Sequence, residues 1–505
     1  MPDSPLSAPL RPGQPVWPGV AVALVLVLAI AIRLLVPIDA NIDWLMSNDR
    51  AFLAGKTLYR DIVETNPPMA IFIYLPGAWI ERLTGWPAEG AFTALLLSVG
   101  ALSAWVFTHW TGRAGMAGPW RLPLVLAVLL VAPLSAWGER EHVALILLMP
   151  LFALAALRLA GQSVAWPTAL ATGVVAAIAP MIKPHFALPI LVVYVVLAIR
   201  RRDARLLLSP EAVAAAVACL LYAALVSRVL PAYAYAVMPL LFDLYWPMRE
   251  PLTSSDLVLK ALLWGAALAC LAFSARRAAL APVPLVLLAA ATGFFAAFLL
   301  QGRGWPYHAL PYVLLTMLAV ALCIPQSLHA SPSRRRIAVA SLIAALAPLG
   351  FLTAFGYHGR GVVAPIRAAI AHPTLMSISF DLAPGHPIAT EVGGTWVGTY
   401  SSRWITANAD TLLRAEHDPA RDARLKAWLR YDRAVTNRDL TKRPDIVLVG
   451  LGPFDWPGWI AADPQTRALM GDYVRLAEDP LTPEQRRHFE GVAAYIRKDR
   501  LRPAP

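Results

Sequence analysis

Five carboxylates stand within 26 residues just after the first long apolar run of the chain: Asp39, Asp43, Asp49, Asp61 and Glu64. Any one of them is ordinarily a solvated loop charge. As a group beside an apolar boundary they offer chemistry, because burial raises a carboxyl pKa towards neutrality and makes the group a general base. A second set is basic and aromatic. WGEREH (137–142) carries Glu139, Arg140, Glu141 and His142, IKPHF (182–186) carries Lys183 and His185, and QGRGWPYH (301–308) carries Arg303, Trp305, Tyr307 and His308. Arginine grips an anion through a planar fork, and lysine does so as a point charge. Tryptophan and tyrosine at such places also form ordinary interfacial belts.

The elements that must position these residues are membrane helices. The chain has 505 residues, 58% hydrophobic and 15% charged, with a mean hydropathy of +0.56. A soluble domain cannot hide that much apolar surface, and about 20 helical residues cross the hydrocarbon core. Runs at 18–38, 90–110, 121–137, 142–160, 165–182, 185–200, 209–228, 255–274, 279–300, 308–324 and 336–356 give about eleven spans. The first reads as an anchor, since it is long and no small-residue cleavage site follows it. Cys219, Cys270 and Cys323 all fall within spans, which argues against a disulfide framework or a cysteine-based metal site.

The net charge of +12 is arranged as a topology signal rather than a nucleic-acid surface. Arg113 and Arg121, the run 200–205, Arg276 and Arg277, and Arg334 to Arg336 recur every two spans, as the positive-inside rule requires of cytoplasmic loops. The carboxylate loop, WGEREH, IKPHF, the aromatic segment 233–250 and QGRGWPYH then all face the opposite, extracytoplasmic side. Ionisable groups at membrane depth are costly and mark sites, so this convergence is the main functional signal. The segment 67–83 is apolar but short and interrupted by Pro76 and Gly77; it is expected to lie in the interface, with Pro67 and Pro68 setting its start. If it spanned instead, there would be twelve spans. Leu45, Phe52 and Leu53 share one helical face, so an amphipathic helix stopping at Gly55 is expected in the first loop. Arg33, inside the first run, is expected to snorkel or to pair with Asp39.

This first loop, Asp43-Trp44 followed by Tyr59-Arg60-Asp61, Glu64 and Asn66-Pro67-Pro68, resembles that of GT-C glycosyltransferases, polytopic membrane enzymes that include protein O-mannosyltransferases and lipid A aminoarabinose transferases. The close likeness covers about 30 residues; the order of spans and a C-terminal outer domain extend it over most of the chain. It implies transfer of a hexosyl or pentosyl group from a polyprenyl-phosphate donor to a glycan, lipid or protein hydroxyl outside the cytoplasm. It makes Asp43 the catalytic carboxylate, with Asp61, Glu64 and Glu141 (or Glu139) as further acids. A hydroxyl that attacks must lose a proton, and a departing phosphate needs cations. Arg140, Lys183, His185, Arg303, Tyr307 and His308 are the donor-phosphate candidates. Two positions depart from the family pattern: Trp44 stands in place of a second acid, and Asn66 in place of a lysine whose charge Lys183 or Arg303 would supply.

No histidine spacing here is a ligand motif; a divalent ion between a carboxylate and the phosphate is compatible with the sequence but not fixed by it. After residue 357 the chain turns charged and turn-rich, with strands expected at 374–380, 387–392 and 445–450 and helices at 408–431, 464–477 and 482–490, and LGPFDWPGW (451–459) offers tryptophans to a glycan or acceptor, or to packing against the outer membrane surface. The expected protein is thus mostly α: a cytoplasmic tail (1–17), a polytopic membrane helix bundle (18–356, with its first extracytoplasmic loop at 39–89) and a C-terminal soluble α/β domain (357–505) outside a bacterial inner membrane. The alternative reading is a transporter or flippase of a lipid-linked sugar. Such proteins place polar groups near the bilayer midplane in related halves, whereas here they lie at span ends. A non-catalytic scaffold would leave the clustered charges without a role.

Overall fold

The computed structural model describes residues 17–36, 38–116, 118–328, 360–382, 385–415, 418–479 and 490–501, with isolated positions at 333, 336 and 340. Helices run back and forth through the first part: α1 (Trp17–Leu35), α2 (Ala40–Leu53), α3 (Pro68–Phe72), α4 (Leu75–Thr84), α5 (Ala88–Arg113), α6 (Arg121–Leu126), α7 (Arg140–Leu159), α8 (Trp166–Ile182), α9 (Ala187–Arg201), α10 (Pro210–Val229), α11 (Met238–Leu240), α12 (Ser255–Ala279), α13 (Pro282–Gln301) and α14 (Pro306–Leu328). Among the described residues, eight helices are long and apolar enough to cross a membrane, and Arg121–Val131 and Trp166–Ile182 are shorter apolar helices. The chain is a multi-pass membrane protein. The eleventh expected run, 336–356, lies outside the described residues.

Burial sorts the helices. α7 is enclosed on nearly all sides by α5, α8, α9, α13 and α14, whereas α1 and α10 leave Leu24, Val27, Leu220 and Leu221 exposed, as lipid-facing helices do. Close approach is bought with glycine: a Cβ on Gly173 would lie 2.2 Å from the Glu211 carbonyl oxygen, and one on Gly293 2.3 Å from Pro189 Cα. One end of the bundle is tied by Arg158, whose fork bonds both Glu211 oxygens at 2.5 and 2.7 Å while the Tyr194 hydroxyl donates to the same carboxylate at 3.0 Å.

The other end is irregular. Segment 67–84 is split into α3 and α4 near Tyr74, with Pro67 capping and Pro68 opening the first turn, and neither piece is long enough to span. The expected 121–137 helix passes into a π-helix over Ala127–Val131 and a 3-10 turn over Leu134–Ala136. The aromatic stretch 233–248 alternates π, α and 3-10 turns. Arg33 neither snorkels nor meets Asp39. Its Nη1 donates to the Leu134 carbonyl at 2.9 Å, with the guanidinium 5.0 Å from the Trp137 ring centroid, because the broken helix leaves a carbonyl to satisfy.

The C-terminal domain is α/β. Its sheet has the order β2-β1-β3-β5-β4, with β1 (Thr374–Ile378) parallel to β2 (Thr395–Trp396) and β3 (Ile446–Leu451), and β5 (Gly491–Arg497) antiparallel to β3 and β4 (Tyr473–Glu478). Helices α15 (Val363–Ala369), α16 (His386–Glu391), α17 (Trp404–Arg414), α18 (Pro419–Thr441), α19 (Trp456–Ala462) and α20 (Pro464–Met470) surround it. The strand expected at 387–392 is the helix α16. The alternation Ile388, Thr390, Val392 mimics a strand, but Pro387 opens a helical turn, and Ile388, Ala389 and Val392 form one buried face at helical spacing. The expected helix 464–477 is α20 followed by β4; of 482–490, only Glu490 is among the described residues. In LGPFDWPGW, Trp456 is buried and donates to Glu490 at 2.7 Å, and the Arg433 guanidinium lies 3.2 Å from the Trp459 ring centroid, so both tryptophans pack within the domain.

Single cysteines placed in a background lacking Cys219, Cys270 and Cys323 check the orientation. A membrane-impermeant maleimide applied to intact cells should label Lys56→Cys and Lys426→Cys but not Asp203→Cys, all three positions being exposed. Labelling of Asp203→Cys with protection of Lys56→Cys would invert the expected topology.

Candidate active site

Helix α2 begins where Asp39 accepts from the Asn41 backbone N–H at 2.8 Å, an N-cap that leaves the following turns to place Asp43. Asp43 is 5% exposed. Each of its oxygens accepts from the Thr390 hydroxyl at 2.9 Å, and His386 Nδ1 stands 3.9 Å away; both partners belong to α16 of the C-terminal domain. Burial raises the Asp43 pKa to about 6 against the opposing Thr390 bond, and burial, then Arg50, lowers that of His386 to about 3. His386 is therefore neutral at physiological pH. Its ring packs on Trp44 and Trp396 with centroids 4.9 and 4.5 Å apart, and its Nδ1 is 3.1 Å from the Ser47 hydroxyl. Arg50 on the same helix is held by Glu81 at 2.6 Å and Glu89 at 2.7 Å. Asp49 lies on another face of α2, fully buried, with no partner for either oxygen, and desolvation raises its pKa to about 9.

From Trp44 and Asn41 of α2 a polar network runs into the bundle. Trp44 donates to Glu64 Oε2, while Glu64 Oε1 accepts from the Thr65 backbone and hydroxyl and from the Asn66 backbone and amide. The Asn66 carbonyl oxygen in turn accepts from Arg140 at 2.7 Å. Arg140, buried at the start of α7, pairs with Glu139 at 3.1 Å, and Glu139 accepts from Asn41 at 3.2 Å. On the next face of α7, Glu141 pairs with Lys183 at 2.6 Å. The lysine also donates to Gln301 at 3.1 Å and approaches His308 Nε2 at 3.5 Å. The Tyr307 ring is 5.8 Å from the Arg140 guanidinium and 5.9 Å from the Lys183 ammonium. Arg140 Nε, Glu141 Oε2, His185 Nε2 and His308 Nδ1 have no hydrogen-bond partner.

Arg140, Glu141, Lys183, Tyr307 and His308 thus come together in one cluster, with Glu139, Asn66 and Gln301 joining them. Asp43 is not bonded into this network; it shares α2 with Asn41 and Trp44, which are, and its own hydrogen bonds go to Thr390. Asp61 does not join: it caps an exposed turn through the Thr57 N–H at 2.8 Å, and that bond, the largest cause, lowers its pKa. Glu64 joins structurally, with both oxygens engaged by donors. His142 accepts from the Gly138 N–H at 3.0 Å and lies 2.8 Å from the Leu129 carbonyl, stitching the π-helix to α7. Asn66, standing where a lysine was expected, meets Arg140 rather than Lys183 or Arg303.

The glycines on either side of Arg303 turn the chain tightly. Gly302 and Gly304 have φ of +57° and +64°, and a Cβ on Gly304 would meet Asp256 at 2.6 Å and Glu250 at 3.0 Å. Arg303 donates to the carbonyls of Met248 at 3.0 Å and Tyr245 at 2.6 Å and stacks 3.9 Å from the Tyr245 ring centroid, leaving Nε unpaired. Sequence alone missed Thr390 and His386. No local signal pairs them with Asp43, 347 residues distant for Thr390. No group of three or more His, Cys, Asp or Glu side chains among the described residues is placed to hold a metal ion.

The helix bundle with an amphipathic first loop, a charged cluster at one end and an α/β domain beside it is a fold shared with a solved structure over nearly the whole chain. Among solved structures the chain is similar to ArnT from Cupriavidus metallidurans bound to undecaprenyl phosphate, at 16% identity and a TM-score of 0.54 over 97% of this chain and 99% of that one. An oligosaccharyltransferase from Archaeoglobus fulgidus tethered to an acceptor peptide aligns at 12% identity and a TM-score of 0.46, over 96% of this chain and 74% of its own. Neither a protein-family model nor a curated protein matches the sequence.

Two outcomes follow from these contacts. A carboxyl whose pKa is raised on folding favours the folded state most below its ordinary pKa and progressively less as pH rises towards the raised value. Asp49 at about 9 should therefore cost about 4 kcal/mol at pH 7. Between pH 5 and 8 the melting temperature of the wild type should fall more steeply than that of Asp49→Asn; parallel curves would show that Asp49 has a partner. Arg303→Ala should lower the melting temperature by freeing two carbonyls of the aromatic segment. Arg303→Lys should fall between, having no fork to reach both, and equal stability of all three proteins would remove the anchoring role.

Proposed function

We propose that the protein is an integral-membrane glycosyltransferase that moves a hexosyl or pentosyl group from a polyprenyl-phosphate donor to an extracytoplasmic hydroxyl, in a bacterial inner membrane. The observation that carries this reading is the convergence of Arg140, Lys183 and Tyr307 at one end of the bundle, joined by hydrogen bonds to the helix of Asp43. The fold supports it, because the similar ArnT structure was solved with undecaprenyl phosphate bound.

In this reading Arg140 and Lys183 hold the donor phosphate, Tyr307 and His308 line it, and His185 closes the side next to Gln301. Glu139 and Glu141 keep the two cations paired until the anion arrives. Arg303 contributes chiefly by fixing Tyr245 and the aromatic segment. The acceptor oxygen bonds to the anomeric carbon as the bond from that carbon to the phosphate oxygen breaks. The hydroxyl proton passes to Asp43, and polyprenyl phosphate leaves with both electrons of the broken bond. As phosphate charge grows in the transition state, preformed cations stabilise it without reorganising. Glu64 and Asp61 hold the loop that carries Asn66 rather than moving protons, and Glu141 is the reserve acid nearest the phosphate. No step is assigned to a metal ion.

Purified protein incubated with a panel of polyprenyl-phosphate sugars should release polyprenyl phosphate from at least one of them. Asp43→Asn should cut that turnover by about 10²–10⁴-fold with the fold retained. Because the base works ionised, kcat/KM should fall as pH drops through about 6. Undiminished turnover in Asp43→Asn would move the base to Glu141, and inertness towards every donor would return the transporter reading.

A further inference from the structure

The C-terminal domain of such a bundle could be a separate acceptor-binding module, attached by its linker and indifferent to the chemistry. The contacts at Asp43 argue otherwise. Its two carboxylate oxygens are bonded by one hydroxyl, that of Thr390, at 2.9 Å each. That hydroxyl projects from the face of α16 opposite Ile388 and Val392, which are buried in the domain core. The helix cannot drift without the domain. Beside it, His386 is 1% exposed, wedged between Trp44 of α2 and Trp396 of β2, and it reaches Ser47 one turn beyond Asp43. Two side chains of α16 thus grip two successive turns of α2.

We propose that Thr390 is a positioning residue of the active site: by bonding the Asp43 carboxylate it fixes the orientation of the base and favours its ionised form, so that the C-terminal domain completes the catalytic unit. The inference rests on Asp43 as the base. The charges facing Asp43 are few and come from three elements: Arg50 on α2 (itself paired with Glu81 and Glu89), Glu89 at the start of α5, and Glu391 together with neutral His386 on α16. Glu89 and Glu391 oppose ionisation, and Arg50 favours it. The Thr390 hydroxyl is the one hydrogen bond among these influences. A hydrogen bond to a carboxylate stabilises the charged form, so its loss raises the pKa.

Thr390→Val keeps the shape of the side chain and removes the hydroxyl; Thr390→Ser keeps the hydroxyl. Infrared difference spectra recorded against pH on protein in liposomes, with Asp43→Asn used to assign the carboxyl band, read the titration of Asp43 without any substrate. The band should titrate about one pH unit higher in Thr390→Val than in wild type, and near the wild-type value in Thr390→Ser. With the donor that the wild type turns over, the acid limb of kcat/KM should move by the same amount. Thr390→Val should then lose about five-fold more activity at pH 6 than at pH 8.5. An unshifted Asp43 titration in folded Thr390→Val protein overturns the proposal, as does a Ser variant that behaves like Val. A shifted titration with an active Asp43→Asn enzyme would instead leave the contact real and dismiss Asp43 as the base.

Discussion

The arrangement at the working end of the bundle depends on one constraint: four charges at the edge of a hydrocarbon layer are removed from water and must neutralise one another. Arg140 and Glu139, Lys183 and Glu141 are each less than a tenth exposed, and they form two adjoining pairs across the start of α7. Desolvating such groups costs several kcal/mol each, and removing one partner of a buried pair costs about 3–5 kcal/mol. Everything nearby follows from keeping these pairs closed. α7 must be central, because its first two residues carry one charge of each pair. The ends of α8 and α13 must meet it, because Lys183 reaches Glu141 from the first and Gln301 accepts from that lysine at the second. A pairing so closed contributes little net stability, but under the proposed function it would present two oriented cations to an incoming phosphate without first assembling them.

The same end of the bundle pays in broken helices. π and 3-10 turns at 127–136 and 233–248 free backbone carbonyls that lipid cannot satisfy. Arg33, His142 and Arg303 take up that task, turning towards Leu134, Leu129, and Met248 with Tyr245, respectively. Cationic side chains near a site are therefore of two kinds here. Those whose donors go to carbonyls hold the broken backbone, and those paired with carboxylates can exchange a partner. This distinction depends on contacts and cannot be drawn from residue type.

That is why the sequence revealed the architecture more fully than the site. Span positions, the amphipathic α2 with its stop near Gly55, the break at Pro67-Pro68 and the meeting of three loops on one side all follow from apolar periodicity and charge spacing, which are local. The split of the cations is not local: Arg303 between two glycines looks poised for a ligand, yet the glycines adopt positive φ and make room for Asp256 and Glu250. Asn66 shows the same limit. The lost lysine charge is made up by an arginine 74 residues away in the chain. The misread strand at 387–392 had the largest consequence. Alternating β-branched residues outweighed the proline, and reading a strand there hid the helix that presents Thr390 to Asp43.

The contact between α16 and α2 also ties the energetics of the two parts together. Asp43 gains no buried cation of its own, since the Arg50 fork is spent on Glu81 and Glu89. Its ionisation is opposed chiefly by burial, and a single hydroxyl is the largest influence favouring it. Buried without a cation partner but bonded by Thr390, Asp43 has a pKa raised to about 6, a range in which a carboxyl can both lose and accept a proton. Were Arg50 released to pair with it, the carboxylate would become a weak base. Glu81 on α4 and Glu89 at the start of α5 would thus act at a distance on the proposed chemistry, by keeping the nearest cation occupied.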